Sequence, residues 1–193
     1  MATGFRRSRG AWVAQLDRTE RALIVGLMEQ TRGLLAPHLV ADGPEPQDEF
    51  EALVASLREP VGLADAPRDP ALERLLPTGH RGDPETAAEF RRLTEEDLRT
   101  HKSACLDTAM ALIRGARGDK VRVAPEQSQA MLVAINDVRL LLGERLGLRN
   151  DDDAALLDAY LASAGDDDPA AYAVAVYDFL GWLQESLVQA MLR

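Results

Sequence analysis

Residues 125–148 of this chain, PEQSQAMLVAINDVRLLLGERLGL, have the pattern of one long helix that is apolar on nearly every side. One face carries apolar side chains at three- and four-residue spacing, namely Met131, Ile135, Val138, Leu142 and Leu146. Further leucines and valines fill the other sides. Because such a helix is usually enclosed by its neighbours, we predict a mainly α, single-domain bundle of residues 1–193 around a central buried helix at about 125–148.

The flanking segments predict a small sheet and more helices. Residues 4–16 are typical of a β-hairpin arm, since Arg9–Gly10 lies between Phe5 and the apolar run Trp12–Val13. Lys120–Val123 alternates like a strand and is expected to pair with that hairpin in a small antiparallel β element. The other predicted elements are a first helix at 17–36, a surface loop at 37–48, a short helix at about 48–58 and a C-terminal helix at 169–192.

Short polar residues predict where several helices begin. Asp17 with Glu20 forms a capping box, in which each side chain accepts a hydrogen bond from the backbone of the other. Asp83 stands before a proline, the residue that suits the first helical position. Thr94 predicts the start of a further helix that runs to Gly115.

Composition limits the class of protein. The 193 residues are 46% hydrophobic and carry a formal net charge of -10, so general binding to a nucleic-acid backbone is not expected. Cys105 is the only cysteine, which excludes an intrachain disulfide and suits a reducing compartment. The sequence has neither a membrane span nor the apolar core of a secretory signal. These features predict a cytoplasmic protein.

The only basic segment of this acidic chain lies in the hairpin arm. Arg6, Arg7 and Arg9 all precede the first acidic residue, Asp17. One interpretation is a solvated strand edge that is protected by charge. The other is a contact arm for an acidic partner or a phosphate.

A second candidate site lies on the helix before the central one. Asp97, His101 and Cys105 recur at four-residue steps, a spacing that would let a histidine activate a thiol or bind a metal. Helical phase, however, points Cys105 toward the core and His101 and Asp97 toward solvent. We therefore favour a core cysteine beside a boundary histidine, and we predict no metal and no cofactor.

Polar residues inside the central helix form the third candidate. Asn136, Asp137 and Arg139 could form a network with polar residues of the last helix, namely Asp178, Gln184 and Glu185. Paired carboxylates in a cleft would suit acid–base catalysis. The commoner arrangement is a buried structural network that holds an arginine between helices, and this is the interpretation we favour.

Four segments resemble an actinobacterial family, the domain of unknown function 2017, whose members are named AosR-like oxidative-stress regulators. They are DPALERLLPTGHRGD (69–83), EFRRLTEEDLRTHK (89–102), AINDVRLLLGERLG (134–147) and FLGWLQESLV (179–188). The resemblance implies a cytoplasmic regulator that contacts the transcription machinery, either a stress sigma factor or RNA polymerase. It carries over no catalytic residue. A redox role of the lone Cys105 would need an intermolecular disulfide, a sulfenic acid or a mixed disulfide.

These observations favour a non-enzymatic regulatory protein that binds another protein, with association into a homodimer left open. The alternative is a small enzyme that uses the carboxylates of Asp137 and Glu185 or the pair of Asp97 and His101. Direct DNA binding would need a positively charged surface.

Overall fold

The computed structural model of the chain describes residues 2–36, 69–77, 79, 83–161 and 169–192. The predicted loop at 37–48 and the short helix at 48–58 lie outside these ranges. The described elements, in chain order, are β1 (Thr3–Ser8), β2 (Ala11–Gln15), α1 (Arg18–Leu35), α2 (Pro70–Leu75), α3 (Pro84–Arg114), β3 (Lys120–Val123), α4 (Ser128–Arg145), α5 (Asp151–Leu161) and α6 (Pro169–Leu192).

The predicted central helix is α4, and a short 3-10 turn at Pro125–Gln127 precedes it. It packs against α1, α2, α3 and α6, so it has neighbours on every side. Met131, Ile135 and Val138 are almost completely buried there. The prediction of a mainly α bundle around this helix is confirmed.

The predicted antiparallel β element is also confirmed. The three strands form one sheet in the order β1-β2-β3, with antiparallel pairing throughout. Arg9 and Gly10 both adopt positive φ angles, 49° and 73°, as a two-residue hairpin turn of type I′ requires. The sheet therefore joins the N-terminus to a strand more than 100 residues later in the chain.

Two hydrogen bonds attach this sheet to α6. The amide N–H of Phe5 donates to Ser186 Oγ at 2.9 Å, and Trp12 Nε1 donates to the carbonyl oxygen of Ala190 at 2.9 Å. The approach is so close that a Cβ atom on Gly4 would lie 2.7 Å from Ser186 Cβ. Gly4 is thus required for the packing of β1 on α6.

The helix starts agree with the sequence in two cases and differ in one. The capping box of Asp17 and Glu20 begins α1, and the Asp83 carboxylate accepts backbone N–H groups at the start of α3. The separate helix predicted to start at Thr94 is wrong, because α3 continues through it for 31 residues. The Thr94 hydroxyl donates to the carbonyl of Phe90 at 2.9 Å, one turn earlier, and so has a mid-helix role instead of a capping role.

Glycines within helices predict close helix crossings, and α4 and α6 cross in this way. A Cβ atom on Gly143 would lie 3.5 Å from the ring of Tyr177, and one on Gly181 would lie 3.5 Å from the guanidinium of Arg139. None of the helices in the described part of the chain combines the length and the apolar character needed to cross a bilayer.

Candidate functional site

A groove of about 850 Å³ lies on the outer face of the sheet, beside the C-terminal end of α3. The strand register places Arg6 opposite Val13 and Val13 opposite Arg122, so these three side chains form a row across the sheet. Residues two positions along each strand share the same face, which adds Gln15 and Lys120 to this surface. The floor of the groove is therefore set by the pairing of all three strands.

The groove is strongly basic. Among the described residues that line it, five are cationic and none is acidic; the cations are Arg6, Arg9, Arg117, Lys120 and Arg122. All five are exposed. Within the described ranges, only Arg122 of this set uses its side chain in a hydrogen bond or ion pair. We call these residues the basic groove.

Local hydrogen bonds hold the rim of the basic groove in place. Arg122 donates from Nη2 to the carbonyl oxygen of Arg9 at 2.9 Å, which ties β3 to the hairpin turn. Arg117 and Lys120 pair through their backbones across a tight turn in which Gly118 has a φ of 61°. These contacts fix the backbone on which the cationic side chains stand.

The sheet places the three arginines of the predicted hairpin arm on opposite faces. Arg6 and Arg9 line the basic groove, whereas Arg7 pairs with Trp12 and belongs to the opposite face. Neighbouring residues of a strand point to opposite faces, which explains this separation. Three further members of the site were not predicted from the sequence, namely Arg117, Lys120 and Arg122. The alternation of Lys120 and Arg122 with two valines was the available signal, once the strand was paired with the hairpin.

His101 and Cys105 lie together on α3, with 3.7 Å between His101 Nε2 and Cys105 Sγ. Cys105 is 6% exposed, and His101 and Asp97 face solvent, as helical phase predicts. Burial raises the pKa of the Cys105 thiol above its ordinary value, and the charge of Asp137 adds to this effect more than Lys102 offsets it. The arrangement therefore disfavours a reactive thiolate.

Asp137 on α4 is fully buried and pairs with a residue that the sequence analysis did not identify. Its Oδ1 lies 2.5 Å from Nζ of Lys102 on α3, while its Oδ2 has no hydrogen-bond partner among the described residues. Burial raises the pKa of Asp137, although the hydrogen bond and charge of Lys102, and the charge of His101, act in the opposite direction. The pair links α3 to α4.

Arg139 turns toward α6 instead of toward Asp137. It donates to Gln184 Oε1 at 2.8 Å and to the Tyr177 hydroxyl at 3.3 Å, and its guanidinium lies 4.9 Å from the Tyr177 ring centroid. Glu185 is exposed on α6, and Asn136 is half-buried. Arg139 therefore contacts one of its predicted partners, Gln184. Asn136, Asp137 and Glu185 do not join it in one buried network, because residues one or two apart on a helix face in different directions. Asp137 and Glu185 do not form a pair of carboxylates in a cleft.

A second concavity, of about 470 Å³, lies between α2, α3 and α4. In this concavity the carboxylate of Glu144 accepts hydrogen bonds from Arg74 at 3.0 Å and from Arg149 at 2.6 Å, and these hydrogen bonds lower the pKa of Glu144. The charges there are matched by neighbours, as in a structural ion-pair network. Within the described ranges, no three His, Cys, Asp or Glu side chains are placed to hold a metal ion.

Comparison with known proteins gives one match. The model of a family described as Domain of unknown function (DUF2017) matches residues 2–191. No curated protein and no solved structure matches the chain significantly.

Proposed function

Because this chain belongs to the DUF2017 family, we propose that it is a cytoplasmic, non-enzymatic regulator that uses the basic groove to bind an acidic segment of another protein. A stress sigma factor or RNA polymerase is the class of partner that the sequence resemblance implies. The proposal rests on one observation, the concentration of five cationic side chains in one groove of a chain with a net charge of -10.

Like charges that the fold holds close together repel one another, so the basic groove favours an anionic occupant. A single exposed ion pair contributes at most about 1 kcal/mol. Several such pairs on one surface add up to a useful affinity, and the local positive potential also raises the association rate. The partner must therefore carry several carboxylates or phosphates near one another.

The overall charge favours a short acidic protein segment over a nucleic acid. A duplex extends well beyond a groove of about 850 Å³ and would meet the acidic remainder of the surface. A short peptide would be covered by the groove itself. Charges more than about 10 Å away are largely screened at 0.1 M salt, so its carboxylates would experience mainly the groove cations.

The test measures binding of a fluorescent oligoglutamate peptide by anisotropy. We expect the double variant Arg6→Glu, Lys120→Glu to weaken binding by about tenfold or more, since two attractive contacts become repulsive. The matched control, Arg18→Glu with Arg92→Glu, makes the same charge change at exposed positions outside the groove. Circular dichroism establishes that both variants are folded.

Three outcomes would overturn the proposal. The first is a wild-type protein that does not bind the peptide, and the second is an equal loss of affinity in the two double variants. The third is a labelled DNA duplex that binds more tightly than the peptide and loses affinity only in the groove variant, which would make the site a nucleic-acid interface.

A further inference from the structure

We infer that the basic groove recognises an acidic segment with an apolar side chain between its carboxylates, and not a uniformly charged chain. This inference rests on the proposed function and specifies the partner. Apolar residues lie among the cations of the groove, namely Val13, Ala111 and Leu112. The site therefore has an apolar floor with a charged rim, which is the usual arrangement of a protein–protein contact.

Val13 occupies the middle of this floor. It stands between Arg6 and Arg122 in the row across the three strands, and it is half-buried. Adjacent strands lie about 4.8 Å apart, so the two arginine backbones are separated by about 10 Å with the valine between them. An occupant that pairs with both arginines must place some part of itself over Val13.

The occupant must also cover the end of α3. Leu112 is half-buried and Ala111 is exposed, and both face the groove beside the sheet. In an extended segment, residues two positions apart share a face and are spaced by about 6.6 Å. Apolar residues can therefore lie over the floor while acids two positions before and after them reach the cations of the rim. An occupant with only charged side chains would either leave the apolar floor exposed to water or bury charged groups against that floor. Burying a charge without a partner costs free energy.

Three peptides test this inference: EELELEE, EESESEE and QQLQLQQ. We expect wild-type protein to bind EELELEE about tenfold more tightly than EESESEE, and QQLQLQQ more weakly than both. Raising sodium chloride from about 50 mM to about 500 mM should weaken both acidic peptides by a similar factor, because they carry the same charges, and should leave the affinity for QQLQLQQ nearly unchanged.

Variants of the floor provide the decisive comparison. Val13→Thr and Leu112→Ala should weaken EELELEE several-fold and leave EESESEE unchanged. The control Leu93→Ala removes an exposed leucine from α3 outside the groove and should affect neither peptide. Val13→Thr keeps a β-branched residue in the strand, so a folded protein remains available if Leu112→Ala does not fold.

The outcomes separate the inference from the proposed function. Equal affinity for EELELEE and EESESEE, or floor variants that weaken both peptides alike, would overturn the inference and leave an acidic partner in place. Failure of wild-type protein to bind either acidic peptide would overturn both.

Discussion

Replacing Lys102 with methionine should destabilise the protein because the buried carboxylate of Asp137 would lose its ion-pair partner. Asp137 is fully buried, and its Oδ1 lies 2.5 Å from Lys102 Nζ. Methionine retains most of the apolar packing of the lysine stem but removes the charge. Loss of one partner of a buried ion pair costs about 3–5 kcal/mol.

Protonation of Asp137 sets an upper limit to this cost. In the unfolded chain an aspartate has a pKa of about 3.9, and each pH unit above that value adds about 1.4 kcal/mol to the free energy of binding a proton. Folding with a neutral Asp137 therefore costs about 4 kcal/mol at pH 7 and about 1.5 kcal/mol at pH 5. The destabilisation in Lys102→Met should not exceed these values.

The sign of the pH dependence of stability follows from the direction in which the pKa of Asp137 is shifted. Burial already raises the pKa of Asp137 in the wild-type protein, and removing Lys102 raises that pKa further. A carboxyl whose folded pKa is raised has no penalty below its unfolded pKa and gains one as the pH rises toward the folded pKa. The variant should therefore lose stability with rising pH from about pH 4 upward, more steeply than wild type.

Urea unfolding followed by far-UV circular dichroism at pH 7 and pH 5 measures both quantities. The control is Lys120→Met, which removes the other lysine of the chain from an exposed position. Adding Asp137→Asn to Lys102→Met should restore most of the lost stability by removing the unpaired charge. A loss below about 1 kcal/mol at pH 7, or one of equal size at both pH values, would refute the reasoning.

Two further predictions concern packing and the thiol. Gly4→Ala should lower the free energy of unfolding by about 1–3 kcal/mol, because the new Cβ would lie 2.7 Å from Ser186 Cβ. The control Gly26→Ala has open space around it and should not lower that free energy. Equal urea midpoints for the two variants would contradict this prediction. Cys105 should react with an aromatic disulfide reagent far more slowly in folded than in urea-unfolded protein, since it is 6% exposed and burial raises its pKa. The absorbance of the thiolate released from the reagent follows the reaction. Rapid labelling of the folded protein would indicate an accessible thiol and contradict the prediction.

Most of the features that could be predicted correctly depend on residues that lie near one another in the chain. The spacing of Met131, Ile135 and Val138 indicated the buried helix, and Arg9–Gly10 indicated the hairpin turn, because both patterns depend on backbone geometry within four residues. Thr94 was misjudged, since the same hydroxyl can cap a helix or bond to the preceding turn, and the uninterrupted helix on both sides decided between them.

The polar contacts could be predicted only in part, since Gln184 was among the expected partners of Arg139 but Lys102 was not an expected partner of Asp137. Asp137 pairs with Lys102, 35 residues away, whereas Arg139 reaches Gln184, 45 residues away. The choice between such partners depends on how α4 is rotated against α3 and α6. A rotation of this kind is a property of packing between helices and leaves no pattern along the chain.

The order of residues was sufficient for the helical class, the central helix, the hairpin and the buried position of Cys105, since each follows from periodicity or turn geometry over a few residues. The basic groove required the complete fold. Its cations come from residues 6–9 and 117–122, and they share one face only because β3 pairs with β2 in a register that sets Arg122 opposite Val13. Such strand pairing is a long-range contact, made possible by the packing of the helices that lie between the two segments in the chain.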